Sequence, residues 1–349
     1  MDLVKNVRIV SEVDALQPIP VSVTVHFFEA GIYKTLTVSM SRPTRFDRIS
    51  VAIVQETLPV LAMPEIPFDS LRNMARFGYY FLRRLVASIL PAVSFPVPLL
   101  DTRSIEPNNI AHLILDVIPW YLHAQRAVGS DVALVTRRVN EPFSTLLSTF
   151  NIVAVREDRK IQASAVRMRG ARGLSVYDLP TFDCPVITCV PDVYSDLDFA
   201  TSVKFERVFI ARRGQRSLRN HAEVESLASS YGYKTIFMED YSIADQLSIG
   251  THARHVVALH GAAMSVLVFS RQIDSVIELF PPNVHHEIFP VCFGPRVKGY
   301  HQIVPDFNPA VMHSGWDAIF HFKKQSFSVD LELLKRLLSE IHYHYDRLD

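Results

Sequence analysis

The sequence predicts an α/β fold built on parallel strands, and three observations predict it. Between Arg207 and Pro282, short apolar runs rich in β-branched residues alternate with helical segments that carry their own start signals. Small clusters of Arg, His and Gly mark the junctions between them. A shorter strand–helix–strand pattern recurs between Asp131 and Val155. Strand and helix repeating at this spacing imply parallel strands joined by right-handed crossovers, with the chemistry kept at the strand ends.

Within the longer stretch, Val208–Ala211 reads as a strand that ends abruptly in Arg212, Arg213, Gly214 and Arg216. Asn220 followed by Glu223 has the spacing of a capping box, so a helix is expected from His221 to Ser230, stopped by Gly232. Thr235–Met238 is the next strand. Ser242 with Asp245 repeats the box and opens a helix on which Ile243 and Leu247 share a face. His255–Leu259 is a strand that runs into His260-Gly261-Ala262-Ala263 and an apolar helical segment ending at Phe269. Ser275–Phe280 follows as a strand carrying Glu278 near its end. The pattern is that of a Rossmann-like domain.

The small residues at His260-Gly261-Ala262-Ala263 leave free amides and a positive helix end, a ready site for a diphosphate. Arg212, Arg213 and Arg216 leave the first strand at the same carboxyl edge, where guanidinium groups pair well with phosphate oxygens. Glu278 is placed to accept hydrogen bonds from a ribose. Each piece alone is common: small-residue turns follow many strands, and arginine clusters are usually solvated.

In combination the residues resemble glycosyltransferase family 61, which includes O-linked N-acetylglucosaminyltransferases, plant xylosyltransferases and many bacterial polysaccharide enzymes. The family order is an SRR-like turn, Asn-Glu, Gln, HGAG, a Phe a few residues on, and IEL. The chain matches it at Arg212, Arg213, Arg216, Asn220, Gln246, His260, Gly261, Ala262, Phe269 and Glu278. It departs at Ala211, where Ser is usual, at His221, where an acid is usual, and at Ala263, where Gly is usual. The resemblance implies a GT-B-like fold, two Rossmann-like domains facing a cleft, with an N-terminal β decoration and a C-terminal helix. It also implies an inverting transfer of a sugar from a nucleotide sugar, UDP-linked in the family, to a glycan or glycoconjugate.

The 349 residues suit two domains, and an apolar fraction of 48% can fill two cores. The boundaries expected are 1–200 for an acceptor-side domain, 201–327 for a nucleotide-sugar domain and 328–349 for a packing helix. With 36 basic and 36 acidic residues, the neutral balance argues against a nucleic-acid partner. Cys184, Cys189 and Cys292 have no metal-ligand spacing and fit a reduced compartment. Met1–Pro20 lacks a signal-peptide pattern. Tyr79–Leu100 is too broken by Arg83, Arg84 and its prolines to span a bilayer, and reads as a buried helix with a proline-rich connector. A cytoplasmic enzyme, with peripheral membrane contact left open, is the expectation.

Val21–Phe27 and Tyr33–Val38 read as a hairpin, and Ile49–Gln55 as a strand; this opening is expected to decorate the first domain. Asn108 or Asn109 caps a helix that continues through Trp120. Asn109, His112 and Asp116 share one face of it, while Leu113 and Val117 anchor another. The family carries a similar N-x-x-H…D-x-x-P stretch, here Asn109, His112, Asp116 and Pro119. Arg167, Arg169 and Arg172 around Gly170 and Gly173 read as a solvated turn, and Leu179–Asp198 as the interdomain connector. His285, His286 and Glu287 lack a spaced third ligand, so no metal is expected. Ser328–Asp349 is an amphipathic helix with Leu331, Leu334, Leu338 and Ile341 on its apolar side.

An inverting transfer needs a base for the acceptor proton and stabilisation of the departing diphosphate. His112 or Asp116 is the expected base, acting alone or with the Asp orienting the imidazole. Arg212, Arg213, Arg216 and the His260–Ala263 turn would hold the diphosphate, with Asn109, Asn220 and Gln246 in support and no cofactor. Two other readings stay open: a non-catalytic nucleotide- or glycan-binding relative, and a GT-B-like nucleotide-sugar epimerase. A dinucleotide oxidoreductase is disfavoured because no GxGxxG opens a strand–helix turn.

Overall fold

A computed structural model of the protein describes residues 7–14, 21–29, 32–40, 48–58, 81–82, 85–103, 108–129, 131–157, 159–170, 203–282, 284–285, 288–293, 296–305, 313–314 and 326–345. The chain divides into two compact units, Met1–Leu16 with Thr44–Ile187 and Gln17–Pro43 with Thr188–Asp349. In chain order the first strands are β1 (Val7–Asp14), β2 (Val21–Glu29), β3 (Ile32–Met40), β4 (Arg48–Leu58), β5 (Val93–Ser94), β6 (Leu99–Asp101), β7 (Ala133–Thr136), β8 (Ala154–Arg156) and β9 (Ile161–Gly170). They continue as β10 (Arg207–Ile210), β11 (Lys234–Ile236), β12 (His255–Leu259), β13 (Ile273–Leu279), β14 (Val284–His285), β15 (Val297–Ile303) and β16 (His313–Ser314).

The first unit's sheet runs β1-β4-β9-β6-β7-β8, with β5 also on β9. β1, β4 and β9 are antiparallel, and β6, β7 and β8 are parallel. Between β6 and β7 lies helix α1, formed in three consecutive segments, Ile110–His112, Leu113–Val117 and Ile118–Val128. Its Leu113, Ile114, Leu115, Val117 and Ile118 are sealed in the core. Helix α2 (Phe143–Thr149) connects β7 to β8. These are the strand–helix–strand elements the sequence predicts.

The turn expected around Arg167 is instead strand: Ala52 pairs with Arg167 and Ser50 with Arg169 across β4 and β9. The strand's earlier positions explain it, since Ile161, Ala163 and Ala165 alternate into the core at the period of a pleat. Arg172, Gly173 and the connector expected at Leu179–Asp198 lie outside the described residues. Likewise β6 replaces the end of the expected proline-rich connector.

The second unit's sheet runs β11-β10-β12-β13-β15-β2-β3. All neighbours are parallel up to β2, and β3 returns antiparallel. The β2–β3 hairpin therefore extends this sheet and does not decorate the first unit. Val21, Val23, Val25 and Phe27 alternate into the core, and pairing with β15 gives that apolar row a covered place.

On one face of the sheet, Phe209, Val257, Leu259, Ile277, Leu279 and Ile303 form a core with two helices. Helix α3 (His221–Ser230) contributes Val224 and Ala228. The C-terminal helix, whose described residues are Leu331–Tyr345, contributes Leu334, Leu338 and Ile341, so it packs within this unit. Helix α4 (Ile243–His252) packs on a 3-10 helix, Ala262–Phe269, so closely that a Cβ on Gly250 would stand 2.1 Å from the Val266 carbonyl oxygen. From β10 the chain moves outward to β11 and then back across to β12 on the other side. Parallel sheets open a crevice at such a reversal, outside the carboxyl ends of the strands. No helix among the described residues is long and apolar enough to cross a membrane.

Candidate active site

The reversal between β10 and β12 brings together the first group of expected residues. Arg212 follows β10 by two positions, and His260 and Gly261 follow β12 directly. A Cβ built on Gly261 would lie 2.6 Å from Arg212 Nη1, so the guanidinium rests on the glycine. Arg216, half-buried, has φ of 61°, a left-handed conformation that costs a non-glycine residue on the order of 1 kcal/mol. Burial and the charge of Arg212 pull its guanidinium down to about 10, and its Nε is buried without a hydrogen-bond partner. Burial also lowers Arg212, against a smaller opposing effect of Glu239. Two desolvated like charges beside a bare glycine make a strained arrangement that an anion would relieve.

Arg213 does not join them. It is exposed, and its Nη1 and Nη2 donate to the two carboxylate oxygens of Asp240 at 2.6 and 2.7 Å. Its guanidinium also lies 3.9 Å from the centroid of the Phe237 ring. This forked ion pair depresses the Asp240 carboxyl and occupies the arginine elsewhere.

The turn itself is tighter than an α-helical start. Met264 N–H donates to the Gly261 carbonyl at 3.0 Å, and Ala262 and Ala263 sit half-exposed at the mouth. His260 is nearly buried and stacks on Phe280 with centroids 4.6 Å apart. Its Nδ1 lies 2.6 Å from Glu278 Oε1. Glu278 Oε2 accepts from the Tyr300 hydroxyl at 2.7 Å and from Gln302 Nε2 at 3.1 Å. Glu278, expected to meet a ribose, has 0% exposure, and its carboxylate lies against His260. Tyr300 and Gln302 were not legible as site residues in advance. Their signal was the alternation of the Val297–Ile303 segment, which puts both on the Glu278 side of the sheet.

Asn220 and Gln246 both hydrogen-bond to backbone. The Asn220 side chain makes no cap for α3; Nδ2 donates to the Val329 carbonyl at 2.8 Å and Oδ1 accepts from Val329 N–H at 3.1 Å. That two-pronged pairing with a backbone outcompetes the capping box expected there. Gln246 Nε2 donates to the carbonyls of Met238 and Tyr241, closing the turn beside Asp240. Ser242 caps α4, with Asp245 N–H donating to Ser242 Oγ, while the Asp245 carboxylate accepts from the Ser242 hydroxyl.

The second group lies in the first unit. Asn109 caps α1 by accepting from Ala111 N–H at 3.0 Å, while Asn108 ties down Arg138 and Asn140. His112 Nδ1 and Asp116 Oδ2 stand 2.9 Å apart, the Asp fully buried and the His side chain 13% exposed. The expected shared face is thus a real contact. Asp116 lies in the π-helical segment Leu113–Val117, where Ile118 N–H reaches back to the Leu113 carbonyl. Pro119 follows at once, and it has no N–H with which to continue the ordinary ladder. Such wide turns cluster at functional positions.

Among the described residues no group of three or more His, Cys, Asp or Glu is arranged to hold a metal ion, and His286 and Glu287 lie outside them. Residues 53–277, more than half of the chain, match the family model described as Glycosyltransferase 61. No curated protein matches the chain.

Proposed function

The chain belongs to glycosyltransferase family 61, and from that premise we propose that it transfers a sugar from a UDP-linked donor to a glycan or glycoconjugate with inversion at the anomeric carbon. Arg212, Arg216 and the Gly261 turn hold the donor diphosphate. His112 is the general base, and Asp116 orients its imidazole. The two units act as the halves of a GT-B enzyme, the second holding the donor and the first receiving the acceptor. The place of work is cytoplasmic polysaccharide assembly.

The observation that carries this reading is the Arg212 guanidinium resting on Gly261 beside the half-buried Arg216. Departure of a nucleoside diphosphate builds negative charge on phosphate oxygens, and prearranged cations meet that charge without reorganising. Stabilisation of the leaving group by side chains is the metal-independent route. On the other side of the reaction, the acceptor hydroxyl loses its proton to His112 Nε2 as its oxygen attacks. The buried carboxylate of Asp116 steadies the imidazolium that forms.

A thermal-shift screen against nucleoside diphosphates and their sugars tests the proposal. A ligand at one hundred times its Kd should add about 2.7 kcal/mol of stability. UDP and one UDP-sugar are expected to raise the melting temperature of the wild-type chain and not of Arg212→Ala. Equal shifts in both proteins, or none with any nucleotide, would refute it.

A further inference from the structure

The groups assigned to donor and acceptor leave one stretch of the first unit without a task. Residues 70–100 hold Arg72, Arg76, Arg83 and Arg84 and no acidic residue, in a chain whose 36 basic and 36 acidic residues balance overall. Residues 81–82 and 85–89 are helical, and Pro91, Pro96 and Pro98 follow. The burial expected of this helix is not found. Phe81, Leu82, Leu85, Val86, Ile89 and Leu90 are all exposed, Leu82 by 61% and Ile89 by 76%, while the small Ala87 is buried at 5%.

Leu82, Leu85, Val86 and Ile89 stand at i, i+3, i+4 and i+7, the spacing of one helical face. An ordinary surface helix turns such a face to the core; here it meets water, and Ala87 takes the inner side. Contiguous exposed apolar surface marks a contact. The local charge selects what covers it. A second copy seated on the same face would set four arginines against four more, a repulsive pairing. A surface of anionic headgroups attracts them instead, and the acyl boundary beneath it takes the apolar side chains. Arginines and prolines keep the segment from spanning, so the contact lies in the plane of the interface.

We propose that the exposed face of residues 81–90 docks on the surface of an anionic lipid bilayer. Leu82, Leu85, Val86 and Ile89 enter the boundary between headgroups and acyl chains, and the positive charge of the segment holds it against lipid phosphates. This docking does not depend on the reading of Arg212, Arg216 and Gly261 as a diphosphate site.

Cosedimentation of the full chain with vesicles tests it, comparing phosphatidylcholine alone with phosphatidylcholine–phosphatidylglycerol mixtures. Wild-type protein should bind the mixed vesicles, bind the neutral ones at least about tenfold more weakly, and come off as salt rises. Leu82→Gln with Ile89→Gln should weaken binding at least about tenfold, with the urea midpoint little moved because both side chains are exposed. Arg83→Gln with Arg84→Gln should weaken it about fivefold for each charge removed. Val153→Gln, at an exposed apolar residue elsewhere in the same unit, should bind as wild type does. Should the Leu82 and Ile89 pair fail to fold, Ile89→Trp keeps the face apolar, and its emission should move to the blue on mixed vesicles. No binding to mixed vesicles, equal binding to neutral ones, binding that the Leu82 and Ile89 pair leaves intact, or an unmoved Ile89→Trp emission overturns the proposal. A concentration-dependent dimer that the same pair abolishes assigns the face to a second copy and overturns it as well.

Discussion

Gly261→Ala isolates the contact on which the donor site depends. The Gly261 backbone is extended, at φ 166° and ψ 174°, so alanine meets no backbone penalty there. The new methyl would meet Arg212 Nη1 at 2.6 Å, whereas Arg212 Cζ at 3.8 Å and Leu259 O at 3.9 Å are ordinary contacts. Carbon contacts settle near 3.5–4.0 Å, so the guanidinium tip must retreat by about 1 Å. That tip ends a flexible chain, and folding stability should change by less than about 0.5 kcal/mol. A diphosphate, by contrast, should lose a charge-assisted contact of about 1.5–3 kcal/mol, roughly a 10- to 150-fold rise in Kd. Gly250→Ala is the matched control. Its Cβ would stand 2.1 Å from the Val266 carbonyl oxygen and 2.7 Å from the carbonyl carbon, backbone atoms that cannot step aside. The control should therefore lose about 1–3 kcal/mol or more of stability. Calorimetry with UDP or pyrophosphate, alongside urea unfolding, measures both quantities. Undiminished diphosphate affinity in Gly261→Ala while Arg212→Ala binds weakly would refute the close-contact argument. So would a loss of stability in Gly261→Ala matching that of the control.

Arg216→Gly should unfold at slightly higher urea, by up to about 1 kcal/mol, because glycine accepts φ of 61° without strain. The same variant should bind diphosphate at least about tenfold more weakly; tight binding would remove Arg216 from the site. His112→Ala should lower kcat by about 100- to 10,000-fold, with Asp116→Asn also well below wild type and the donor KM little changed in both. Near-normal turnover in both would sink the base assignment. Burial, with the His301 charge adding at His26, holds the His26 imidazole at about 4, and burial does the same at His301. Both lie below the unfolded value of 6.5, so the unfolded chain takes up protons first. Their contribution to stability is complete above that value and is lost as pH falls towards 4, on the order of a few kcal/mol for the pair. Urea midpoints across that window should fall less steeply in His26→Gln with His301→Gln than in wild type; an equal slope would contradict the assignment.

The elements between Arg207 and Pro282 were readable because local signals agree there. The apolar run of His255–Leu259 is a fully buried strand, as its composition predicts, and Ser242 caps α4 as its spacing predicts. The His112–Asp116 contact was readable for the same reason: four residues along a helix bring two side chains onto one face. Asn220 shows where such reasoning stops. Its spacing to Glu223 promises a cap, yet Val329, more than a hundred residues on, takes both ends of the amide.

By itself the sequence determined periodicities, turn chemistry and the order of strands and helices, and with them the family and the α/β class, since these follow from interactions a few residues long. Tertiary structure alone decided which edge the β2–β3 hairpin joins, because any apolar row can complete any open edge of matching polarity. It also separated three similar arginines, drawing Arg213 to Asp240 and leaving Arg212 on the glycine with the charge of Arg216 near it. Charge pairs form by distance in space, and those distances are set only when the parallel strands close.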